Sequence, residues 1–177
     1  MPPRLRKFVL TAHVATTVGW LGAVVVFLAL SVIGLTSPDA QVVRAVYLVM
    51  EPAAWFVLVP LSIASLSTGI IQSLGTPWGL FQHYWVLFKL LITVVATIIL
   101  LTYMETFRFM ADVAAKTTSS SGDPDALRSP SPVIHAALAL LGLLVATTLS
   151  VYKPRGLTPF GSRAQRARQA ATHPRVR

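Results

Sequence analysis

The chain has 177 residues, 54% hydrophobic and 12% charged, with 15 Lys and Arg against 6 Asp and Glu and a formal net charge of +9. Soluble domains carry about 25% charged residues, so a single soluble core of this size cannot hide the apolar surface, and a bilayer is the solvent that fits it. The absence of cysteine excludes disulfides, iron–sulfur clusters and thiolate chemistry while leaving the redox compartment open.

Four apolar runs follow one another, each near the ~20 residues that cross a hydrocarbon core as a helix. The first covers 8–35, FVLTAHVATTVGWLGAVVVFLALSVIGL. Its basic lead, RLRK, is that of a signal peptide, but the apolar run is 28 residues against about 7–15 for a signal core, and no A-x-A site follows. It reads as a retained span. The second covers 42–72, with Ser37 as expected N-cap, Pro38 in the first turn, and Pro52 and Pro60 as expected kinks. The third covers 84–109 and is expected to run on to about Lys116; the fourth covers 133–152. None alternates with period two, so all read as helices. The fold class is all-α, a transmembrane four-helix bundle within residues 1–155. The polar, Pro/Ser-rich stretch 117–131 reads as a flexible outer loop, and the basic stretch 156–177 as a mostly disordered tail with a short helix at 161–171.

With the N-terminus inside, 11 of the 15 basic residues fall on the inner side: Arg4, Arg6, Lys7, Lys89 and seven from Lys153 to Arg177. This is the positive-inside pattern, and it puts both termini in the cytoplasm. The basic tail then suits anionic lipid. Nucleic acid is the poorer partner, because the tail lacks an aromatic-interleaved surface. Gly/Ala stripes, Ala15–Gly19–Ala23 and Gly142–Ala146–Ser150, favour close helix approach and leave room for a homo-oligomer or a membrane-protein partner.

P-loop, GxGxxG, HExxH and GxSxG motifs are absent. Ionisable groups at membrane depth are the remaining candidates. His13 and Lys89 lie at similar depth, ~8 Å in from the inner start of their helices. Glu51, Glu105 and His135 form an outer layer that offers carboxylate and imidazole ligands to a metal. His13 and His135 differ in depth by ~15 Å, which excludes the pair as axial ligands of one haem. Each residue also has a plain reading. Lys89 snorkels to the interface, His13 bonds a backbone carbonyl or Thr17, His83 anchors at the interface, and Glu105 pairs with Arg108.

The segments HVATTVGW–LGA and TPWGLFQHYWVLFKLL space His13 seven before Trp20 and Trp85 four before Lys89. In this the chain resembles the membrane superfamily of copper-resistance D-type proteins and HemJ-type protoporphyrinogen oxidases. With SLGTPWGLFQHYWVLFKL and VYKPRGLTPFG, it looks more closely like a bacterial four-helix membrane family of unknown function. The resemblance implies a multi-pass protein of the bacterial inner (plasma) membrane. From the haem-linked relatives it implies haem b as cofactor, with His13, Trp20 and Lys89 as cofactor-binding residues.

Three functions remain open. The first is a non-enzymatic accessory, assembly or structural membrane component. The second is a haem-binding redox protein or porphyrinogen oxidase using His13 and Lys89. The third is a small metal or solute permease acting as an oligomer.

Overall fold

The structure, a computed structural model, describes residues 1–76, 79–116, 127–154 and 156–172. It contains α1 (Pro3–Thr36), α2 (Ala40–Ala53), a π-helical turn (Ala54–Leu58), α3 (Val59–Leu74), α4 (Tyr84–Lys116), α5 (Ser131–Tyr152) and α6 (Pro159–Thr172). Four helices are long and apolar enough to cross a membrane, the second of them continuous over Ala40–Leu74. Between 11% and 28% of their most apolar windows is buried. Most of that apolar surface therefore faces outward, where only lipid covers it without cost. The chain is an all-α, four-helix integral membrane protein.

The second span keeps its helix through both prolines. Pro60 has no N–H, and its ring crowds the carbonyl four residues back. The π turn Ala54–Leu58 sits there, with the Val59 N–H reaching back to the Ala54 carbonyl, so the ring is taken up by widening the helix. The N-cap of α2 is Asp39 rather than Ser37. Its Oδ1 accepts from the Gln41 N–H at 2.8 Å, and Ser37 Oγ accepts from the Asp39 N–H at 3.2 Å.

Helix α1 packs on α2, α3 and α5, and α4 packs on the same three. Successive spans are thus neighbours around a ring, with α1 and α4 on a diagonal. At the end away from the termini this diagonal is closed. Phe27 and Phe107 meet edge to face at 5.8 Å, among Trp20, Val24, Tyr47, Met50, Met104 and Met110. The α2 and α4 extensions pack together there, and Arg44 donates to the Ala114 carbonyl at 2.6 Å, placing a cation at the C-terminal end of α4. Leu127 is buried in this core, while 117–126 of the expected loop lies outside the described residues.

In the tail, where a short helix was expected at 161–171, α6 spans Pro159–Thr172. Thr158 caps it: its Oγ1 accepts from the Gly161 N–H at 3.1 Å and donates to the Phe81 carbonyl at 2.5 Å. Pro159 sits at the first helical position, where its missing N–H costs nothing. An isolated antiparallel bridge, His83 to Leu157, and a Thr158 N–H to Gln82 carbonyl bond at 3.0 Å staple this start to the α3–α4 turn. A side chain at Gly161 would run into the Gln82 carbonyl, so only glycine permits the approach.

Candidate functional site

At the termini end the four spans part around a cavity of about 860 Å³. Its wall takes residues from α1 (Arg6 to Leu21), α3 (Ser65 to Ser73), α4 (Trp85 to Thr93) and α5 (Thr147 to Val151). Arg6 and Lys153 stand exposed at the rim, and Lys89 is half-buried within. The Lys89 ammonium lies 5.7 Å from the centroid of the buried Trp85 ring, one turn earlier on α4. The cation is held against an aromatic face inside the bundle. No Asp or Glu is among the described residues that line the cavity.

His13 faces the same cavity from α1. Its Nδ1 is 3.1 Å from Thr68 Oγ1 on α3. The Thr68 hydroxyl lies 2.6 Å from the Ala64 carbonyl oxygen, and a carbonyl only accepts. The single hydroxyl proton goes there, so Oγ1 accepts from His13 Nδ1–H, and the neutral ring carries its lone pair on Nε2. The ring rests on Gly69, where an added Cβ would come within 3.0 Å of Cε1. One turn deeper, Thr17 Oγ1 and Ser65 Oγ are 2.9 Å apart. The α1–α3 seam is thus polar at the cavity and apolar beyond it, where Gly19 meets Leu61.

Comparison with family models, curated proteins and solved structures gave no match. The resemblance to copper-resistance D-type and HemJ-type proteins therefore rests on the short quoted segments alone.

The residues singled out from sequence divide in three. His13 and Lys89 come to one cavity. Trp20 does not line it; it is 2% exposed, in the apolar core. Glu51, Glu105 and His135 are not drawn into a metal centre: no group of three His, Asp or Glu among the described residues could hold an ion. Glu51 is half-buried on α2 and Glu105 is exposed on α4. His135 Nδ1 lies 2.8 Å from the Ser131 carbonyl oxygen, and its ring stacks on Tyr103 at 4.3 Å. Tyr103 Oη is 2.9 Å from Ser131 Oγ, so this cluster fastens the start of α5 to α4.

Thr68, Ser65 and Gly69 escaped sequence reading, although SIASLSTG repeats small polar residues at helical spacing. Arg6 and Lys153 were legible only as charges that orient the chain.

Proposed function

We propose that the protein is a non-enzymatic component of a bacterial plasma membrane that holds an amphiphile with an acidic head in this cavity. Both termini lie in the cytoplasm, in keeping with the bias of basic residues toward that end, and α6 with its arginines rests on anionic lipid. One observation carries the reading: Arg6, Lys89 and Lys153 line a largely apolar cavity whose described wall contains no carboxylate. Of these, Lys89 lies at membrane depth, where a cation is costly unless countered. An acidic head supplies the counter-charge, and a hydrocarbon tail fills the rest.

The second reading is haem b, favoured by the lone pair on His13 Nε2. His13 would ligate the iron, and Lys89, Arg6 and Lys153 would hold the propionates. When bound, haem would supply one-electron chemistry.

An absorption spectrum and an organic extract of the protein purified in mild detergent distinguish the two. The expected result is a colourless protein with stoichiometric acidic lipid that Lys89→Ala fails to retain. A Soret band lost in His13→Ala would replace this reading with the haem one. Protein free of both would sink each.

A further inference from the structure

We propose that the ligand is an anionic phospholipid with a hydroxyl-bearing head, its phosphate among Arg6, Lys89 and Lys153 and its hydroxyls directed to acceptors that line the same cavity. This rests on the amphiphile reading above.

The polar groups of the wall fall into two kinds. The cations donate. Trp85 Nε1–H and the Gln72 amide nitrogen are further donors, while several hydroxyls of the wall only accept. Ser73, Thr93, Thr147 and Ser150 all line the cavity. Each donates its hydroxyl proton to a carbonyl of its own helix: Gly69 at 2.8 Å, Lys89 at 3.0 Å, Leu143 at 2.8 Å and Ala146 at 2.9 Å. Only their lone pairs remain to be offered. His13 is committed likewise, with Nδ1–H on Thr68 and an imidazole lone pair left on Nε2. Gln72, also in the wall, has a buried Oε1 with no hydrogen-bond partner.

A carboxylate or a plain phosphodiester brings only acceptors. It satisfies the cations and offers these lone pairs no donor, a costly arrangement away from water. A glycerol-type head carries both the charge and the O–H donors. Depth favours a lipid with such a head. His13 and Lys89 each lie five residues from the start of the apolar run, ~8 Å along the axis. A head drawn that far below the surface exchanges hydration for protein partners, and it stays only where donors and acceptors both match.

The test uses native mass spectrometry of the full chain in nanodiscs with three lipids: phosphatidylglycerol, phosphatidylmethanol of equal charge without hydroxyls, and zwitterionic phosphatidylcholine. Phosphatidylglycerol is expected to bind about fivefold tighter than phosphatidylmethanol for each hydroxyl bond made. His13→Leu should shrink that ratio, and Thr68→Val, which keeps the ring but frees its tautomer, guards against a folding defect in the first variant. Lys89→Ala should weaken both anionic lipids alike. Equal binding of the two, or a ratio untouched by either substitution at the His13–Thr68 pair, would overturn the hydroxyl assignment and leave the amphiphile reading standing. No preference for either anionic lipid over phosphatidylcholine would instead sink the amphiphile reading. Soluble glycerophosphoglycerol should compete poorly; competition equal to the lipid's would show that the head alone is the ligand.

Discussion

His13 Nδ1 donates to Thr68 Oγ1 across 3.1 Å, and Thr68 passes its own proton to the Ala64 carbonyl. Two helices are joined and one tautomer is fixed by a single hydroxyl. Thr68→Val keeps the shape and removes the acceptor. The unpaired, half-buried N–H should cost about 1–2 kcal/mol, read as lower thermal stability in detergent. Nitrogen-15 NMR of labelled histidine should show the Nδ1-protonated form at His13 in the native chain and a mixture in the variant. A native ring protonated on Nε2 alone would contradict the assignment.

Gly161→Ala tests the staple between α6 and the α3–α4 turn. The added methyl would meet the backbone carbonyl of Gln82, which cannot turn aside as a side chain could. Hydrogen exchange across 159–172 should quicken, with the four spans unchanged. Thr158→Val should act in the same direction, losing the cap bond to Gly161 and the tie to Phe81, about 1 kcal/mol for the cap alone. Unaltered exchange in both variants would mean that α6 holds its place by other contacts.

Phe107 tests the closed half of the bundle. It contacts Phe27 at 5.8 Å and Tyr103 at 5.0 Å, both edge to face. Lipid tails are as apolar as phenylalanine, so packing rather than escape from water holds these rings together. Phe107→Ala should still cost about 3 kcal/mol through the void it leaves. A loss under about 1 kcal/mol would indicate that neighbouring side chains collapse into the space.

Much of the architecture was legible because a bilayer demands long apolar helices and permits little else. Equal depth placed His13 and Lys89 at one level, and the ring of helices brings both to the cavity. Trp20 shows where helical periodicity falls short. It shares the face of His13 but lies about two turns deeper, packed into the apolar core on the cavity side of the Phe27–Phe107 contact. Thr68 was out of reach because periodicity gives a helix its faces without saying which neighbour each one meets. The α6 start was written in Thr158–Pro159, but the helix is anchored by Gln82 and Phe81, residues more than seventy positions away.

Orientation can be tested directly because the chain has no native cysteine. Asp112 and Arg163 are exposed at opposite ends of the bundle. In intact cells, a membrane-impermeant maleimide should label Asp112→Cys and spare Arg163→Cys until the membrane is opened. The reverse pattern would put the termini and the cavity mouth outside, and the lipid would then be drawn from the other leaflet.

The location of the ligand decides most. An anionic phospholipid with a photoreactive diazirine in its chain, activated in nanodiscs and mapped by peptide mass spectrometry, reports which side chains the tail touches. Crosslinks are expected on the cavity wall, at Leu10, Val14, Leu66 and Leu90, and should fade in Lys89→Ala. Crosslinks confined to the outward-facing Phe56, Leu91 and Ile98, and indifferent to Lys89, would show that lipid surrounds the bundle without entering it.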